Sequence, residues 1–163
     1  MLEILETDTG QYEHRGYIHI LKKQCDIFMK NIQRLNVSSF DLMPVFVDWN
    51  IGNFSVTDDM KFFSRWDYDW FRVSSRVMDF YFFSRVCSNV GDRTVFSYLM
   101  GPLMEERFMI FLREYHKIYP LTENEVRFMK EAYRFFILNY VIKYGKYFFH
   151  RSYCTKLQRE AYE

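Results

Sequence analysis

Residues 46–69 read FVDWNIGNFSVTDDMKFFSRWDYD, and the fold of the chain turns on how this stretch is divided. Phe54–Thr57 and Met60–Trp66 are rich in β-formers and flank the polar pair Asp58-Asp59, the pattern of a small hairpin. Before them, Leu42–Val47 is an apolar run interrupted by Pro44, which suits an edge strand or a strand entry because proline has no N–H to give a ladder. Between run and hairpin lie Asp48 and Asn53, five positions apart, with Gly52 where a tight loop needs backbone freedom. The hairpin would carry Asp67 back beside Asn53. Oxygen-bearing side chains grouped in this way can hold a hard cation and, through it, a phosphate.

Outward from this stretch the chain reads as helical. On the N-terminal side, Gln11–Leu35 places Tyr17, Ile20, Leu21, Ile27, Phe28, Ile32 and Leu35 at helical spacing, with lysines and Arg34 on the other face. Asn36–Ser39 is its expected stop. On the C-terminal side, Val77–Val90 is a second helix closed by Gly91-Asp92, a third begins near Thr94, and a fourth runs over Leu103–Tyr119 and ends at Pro120. Thr122 with Glu125 forms a capping box, so a last long helix is expected from Glu123 through Phe148, with Gly145 inside it at a cost of about 1 kcal/mol relative to alanine. The expected class is α+β, mainly α-helical, in one domain: a leading helical region 1–41, a loop region 42–93 and a helical region 94–163.

Composition narrows the function. Among 163 residues there are 18 Phe and 13 Tyr but only 6 Gly and 3 Pro, which is the composition of a chain with large side chains to bury and excludes disorder. A formal charge of +1 provides no global field for nucleic acid or an anionic membrane, and the longest nearly apolar run, Phe135–Ile142, is far short of a bilayer span. Met1–Gly10 carries Glu3, Glu6 and Asp8 and lacks the basic start of a secretory signal, so the expected location is cytoplasmic. Cys25, Cys87 and Cys154 are widely separated, without the spacing of a metal site, and read as reduced thiols. His14 and His19, five apart on the first helix, fall on different faces, and the aromatic stripe Phe135–Phe149 reads as core packing rather than a pocket. Lys143, Lys146, His150, Arg151, Lys156 and Arg159 make the C-terminus basic, with a solvated tail as the expectation.

Asp-x4-Asn alone is a weak signal, since Asp26 and Asn31 match it inside the first helix. The fuller pattern DWNIGNF, RWDYDWFR and Asp79 in VMDFYFF resembles the C-terminal lobe of the aminoglycoside phosphotransferase and choline-kinase-like superfamily, a protein-kinase-like fold. Members carry H-G-D-x-x-x-x-N, then a strand ending in Asp, then a helix with a buried Asp near its start. The resemblance spans 42–149. It implies Asp48 as catalytic base or hydroxyl-orienting residue, Asn53 and Asp67 as ligands of Mg2+ and so of ATP, Asp69 as a supporting or substrate-side carboxylate, and Asp79 as the acceptor that braces the loop. It also implies a helical substrate-binding subdomain and a small-molecule hydroxyl as acceptor.

The sequence departs from that family in two places. Phe46-Val47 stands where the motif has His-Gly, and nothing before residue 42 supplies a Gly-rich phosphate loop, a strand-borne Lys or its partner Glu. The expectation is a phosphotransferase C-lobe, truncated or paired with a separate N-lobe or a homo-oligomer partner and weak by itself. The rival expectation is an impaired member that serves as a binding or interaction module.

Overall fold

The computed structural model describes residues 15–89 and 97–163. Its elements in order are α1 (Ile18–Arg34, entered through the 3-10 turn Arg15–Tyr17), β1 (Met43–Val45), β2 (Phe54–Val56), β3 (Phe62–Arg65), β4 (Arg72–Ser74), α2 (Phe80–Cys87, entered through the 3-10 turn Arg76–Asp79), α3 (Glu106–Ile118), α4 (Glu123–Phe136), a π-helical segment Ile137–Lys143, α5 (Gly145–Phe148) and α6 (Arg151–Tyr162). The chain is therefore mainly helical with a small β component, the α+β class that the sequence implies. No described helix is long and apolar enough to cross a membrane. By contacts the described residues form two compact units, one of 38–89 and 100–129, the other of 15–37, 97–99 and 130–163.

The first unit holds both sheets. β2 and β3 form the expected hairpin, with Phe54 opposite Arg65 and an irregularity at Ser55/Val56. β4, which the sequence reading had not singled out, pairs antiparallel with β1 in the register Met43↔Ser74, Pro44↔Val73 and Val45↔Arg72. Since Val45 and Arg72 are paired, this ladder closes the base of the whole segment 46–71. Val45 of the ladder and Val77, Phe80 and Phe108 of the same unit are fully buried, each contributing about 2 kcal/mol through lost water contact. The Phe80 ring meets Tyr115 edge-on at 5.2 Å and Phe111 at 6.4 Å, which seats α2 on α3.

The turn into α2 is fixed by a partly buried ion pair. Arg76 donates from Nε to Glu125 Oε1 at 2.7 Å and from Nη2 to Oε2 at 3.0 Å, and Nη2 also reaches Pro120 O at 2.6 Å. Glu125 is at the same time the far half of the capping box: its Oε2 accepts from Thr122 N at 2.8 Å, and its own N–H donates to Thr122 Oγ1 at 3.2 Å. Burial pushes its carboxyl up, but the Arg76 and Thr122 bonds together bring it below the usual range.

In the second unit Leu21, Leu138 and Ile142 form a core, joined by Cys25, Ile137, Ala161 and Tyr162. Phe136 and Tyr140 of the aromatic stripe are buried here as packing residues. Glu131 is fully buried, accepts from Asn31 Nδ2 at 2.8 Å and pairs with Arg134.

Several helix boundaries differ from expectation. α1 begins at Ile18, and residues 11–14, with His14, lie outside the described residues, as do 90–96, where the third helix was expected. The second helix opens as a 3-10 turn and is α-helical only over Phe80–Cys87, and the fourth divides into a 3-10 turn, Gly101–Met104, and α3. The long last helix does not continue to Phe148. It leaves α-geometry after Phe136, widens into the π-helical turn, in which Tyr144 N–H donates to Asn139 O at 3.0 Å, and restarts at Gly145. The basic C-terminus is not a solvated tail but α6, with Cys154, Leu157 and Gln158 buried; Gln158 Nε2 donates to the carbonyls of Val141 and Ile142 at 3.3 Å each. Cys154, Leu157 and Ala161 keep helical spacing, but the charged residues between them made this segment read as a tail.

Candidate functional site

The site begins at the end of β1 with a strained backbone. Val47 has φ 61, a conformation that L residues rarely adopt and that is worst for a β-branched side chain. Asp48 N–H donates back to Phe46 O at 2.7 Å across it, closing a γ-turn of the unfavourable hand, and Trp49 N–H donates to Val47 O at 2.9 Å. Asp79, from the turn before α2, holds this geometry: its Oδ1 accepts from Phe46 N at 3.0 Å and from Val47 N at 2.7 Å. Burial pushes the Asp79 carboxyl above its usual value, opposed by these two N–H groups, by the nearby charge of Arg65, and by the Trp49 indole N–H, which approaches without completing a hydrogen bond.

Past the γ-turn the chain circles Asp48. Its Oδ2 accepts from Asn53 Nδ2 at 3.3 Å, and both carboxylate oxygens lie 3.4 Å from Asn50 Nδ2. Asn53 Nδ2 also lies 3.3 Å from the Asp48 carbonyl, and the side chain is buried. Asn50 caps the 3-10 turn Ile51–Asn53 by accepting from Gly52 N at 2.9 Å. The glycine favours that cap by leaving it room rather than by an unusual φ, since a Cβ at position 52 would stand 3.1 Å from Asn50 Oδ1 and press on it. Burial raises the pKa of Asp48 most, the Asn50 bond lowers it, the negative Asp67 raises it further, and the net shift is upward. A carboxylate tuned in this direction is better suited to accept a proton from a hydroxyl than an ordinary surface Asp.

The hairpin then returns to the loop. Trp66 donates from its backbone N–H to Asn53 O at 3.0 Å and from its indole to Gly52 O at 2.9 Å. The following residue, Asp67, sits at φ 67 with its carboxylate exposed, and Oδ1 lies 3.4 Å from the Asp69 N–H. Asp48, Asn53 and Asp67 are thus gathered at one point of the first unit, with Asp79 beneath them. Asp69 joins through its backbone while its own carboxylate is exposed. The competing match is disposed of: Asn31 is committed to Glu131 on a helix face.

Three participants went unnoticed in the sequence. Asn50 is the cap described above. Trp49 stacks on Phe83 at 4.8 Å and meets Phe46 edge-on at 5.5 Å. Arg65 lies over both Phe46 and Trp49, its guanidinium carbon 4.6 Å from each ring centre, and donates from Nη2 to Asp48 O and to Asp67 O at 3.2 Å each. The only signal for Arg65 was a charge at the end of an otherwise apolar strand.

The residues fit a hard cation held mainly by water. Asn53 turns its amide N–H2 toward Asp48, so its carbonyl oxygen is the atom it can offer, and Asp67 offers an exposed carboxylate. One or two such oxygens suit magnesium, which keeps several waters, better than they suit zinc. Among the described residues no group of three or more His, Cys, Asp and Glu gathers as a metal cluster, and burial pushes all three cysteine thiols up, away from the reactive thiolate. Compared with protein-family models, with curated proteins and with solved structures, the chain matches none.

Proposed function

We propose that this chain is the acceptor- and magnesium-binding lobe of an ATP-dependent phosphotransferase that acts on a hydroxyl of a small molecule. The observation that carries the reading is the return of the hairpin: it brings Asp67 to the Asp48–Asn53 loop, against a γ-turn held in a strained form by Asp79. Val47, β-branched and held at φ 61 immediately before Asp48, carries backbone strain of the kind that clusters at functional sites. In this reading Asp48 accepts or orients the hydroxyl proton, Asn53 and Asp67 hold magnesium, Asp69 lies on the substrate side, and Asp79 keeps the loop entry rigid. Magnesium, when bound, neutralises the phosphate oxygens; the protein's share is positioning and charge. The α- and β-phosphates would be cradled by a separate lobe or a partner subunit, and the expected location remains cytoplasmic.

A second reading, a binding module that has lost catalysis, draws on the aromatic side chains exposed around the site, with Phe63 72% and Phe62 59% exposed. One experiment separates the two. Calorimetric titration of the full chain with a non-hydrolysable ATP analogue should show binding that requires magnesium and disappears in Asp67→Ala. No heat at millimolar nucleotide, with or without magnesium, would overturn the enzyme reading in favour of the module.

A further inference from the structure

Phe46 occupies the position where the motif has its loop-bracing histidine, yet the loop is ordered around it. Phe46 meets Tyr68 at 5.6 Å and Phe71 at 5.6 Å as well as Trp49, so it is the centre of an aromatic cluster rather than a gap. A cation, Arg65, lies over this cluster. Arg65 comes from the end of β3, packs its guanidinium across Phe46 and Trp49, and lies 5.9 Å from the Tyr68 ring. Its Nη2 carries two hydrogens and donates one to each of two backbone segments, at Asp48 O and at Asp67 O. Its Nε and Nη1 are buried without a hydrogen-bond partner among the described residues. Burying donors in this way is costly unless something offsets it, and ring faces at this distance supply part of the offset by attracting the delocalised charge.

We propose that Arg65 is the positioning residue of the candidate site: clamped in the Phe46–Trp49 slot, it ties the Asp48 loop to the Asp67 turn and so sets the distance between the acceptor-side and metal-side carboxylates. What the tie serves rests on the phosphotransferase reading, whereas the tie itself does not. Lysine could keep a cation over the rings but not the planar fork that fits a flat slot while reaching two carbonyls. A neutral residue could keep neither. Arg65 touches carbonyls and rings only, so it acts through Asp48 and Asp67 and not on a substrate.

The test uses the full chain and two variants, Arg65→Met and Arg65→Lys, with amide hydrogen exchange as the first readout and no nucleotide present. In Arg65→Met the amides of Asn53 and Trp66 should exchange about tenfold faster, as expected when a desolvated cation–π contact and two hydrogen bonds are lost together, while amides of Phe80 and Phe108 keep wild-type rates. Arg65→Lys should restore part of the protection. Uniform acceleration at all these amides would make Arg65 an ordinary stability residue, and unchanged exchange at Asn53 and Trp66 would show that no tie exists; either overturns the proposal. If Arg65→Met does not fold, Arg65→Lys decides by itself, because exchange identical to wild type would deny any role to the fork. Magnesium-dependent binding of the ATP analogue, measured in parallel, should weaken about tenfold in Arg65→Met. If the wild type binds no nucleotide but the local exchange effect is present, the phosphotransferase reading fails and the tie survives.

Discussion

At the scale of single residues, Asp79 shows how a side chain can be costly to ionise and still be indispensable to the loop it holds. It accepts two N–H groups at the entry to the γ-turn, yet burial raises its carboxyl above the value of 3.8 it has when exposed. The sign follows. Between 3.8 and the folded-state pKa the native chain binds more protons at this residue than the unfolded chain does, so the stability contributed there falls as pH rises through that window. Asp79→Asn removes the titration and keeps an oxygen that can accept the same N–H groups. Urea unfolding from pH 7 down to pH 4 should therefore show wild type gaining on Asp79→Asn as the pH falls. A difference constant over that range would mean that Asp79 titrates as it does in water. Asp79 was also legible in the sequence, because a carboxylate in the apolar run VMDFYFF needs a buried donor. Arg65 was not: nothing in a linear reading says that FFSR will aim its charge at two aromatic faces, since those rings come from the loop on the other side of the hairpin.

At the scale of elements, the sequence located the hairpin, the capping box and most helices because each is a local pattern of period or cap. It failed where distant segments decide the geometry. β4 is three residues long and exists because β1 pairs with it. The last helix was read as continuous because its apolar positions keep helical spacing, but α6 packs against it and changes the outcome at Gly145. A Cβ there would lie 3.3 Å from Cys154 Sγ, 3.5 Å from Tyr140 O and 3.6 Å from Phe149. Read as an interior helical glycine, residue 145 would gain about 1 kcal/mol on substitution by alanine. The close approach of α6 reverses the sign: Gly145→Ala should lose about 1 kcal/mol by urea unfolding, the order of cost of an extra methyl in a packed site. Gly145→Ala in a Cys154→Ala background should recover most of that loss, which a double-mutant cycle measures as a coupling. Additive effects of the two substitutions would show that the thiol is not what excludes the methyl.

At the scale of the whole molecule, composition bounded the class but not the site, since aromatic residues both fill the interior and ring the Asp48 loop. That distribution provides a built-in reporter. All three tryptophans of the chain, Trp49, Trp66 and Trp70, fall within the segment closed by the β1–β4 ladder. Trp49 lies under Arg65, and the Trp66 indole donates to Gly52 O. Thermal unfolding followed by tryptophan emission therefore reports on the unit that carries the site. A ligand that binds only the folded state stabilises it by about 2.7 kcal/mol at about a hundredfold excess over Kd. If phosphotransfer is the function, magnesium alone and the ATP analogue alone should each shift the emission transition little, because Asn53 and Asp67 offer few ligands and, in that reading, the α- and β-phosphates depend on another lobe or subunit. Together they should raise it by more than the sum of the two, and Asp67→Ala should abolish that excess. An equal shift with and without a chelator would mean that the nucleotide rests on the aromatic surface alone. That outcome would make the gathered carboxylates an inherited scaffold and the exposed rings the working part of the molecule.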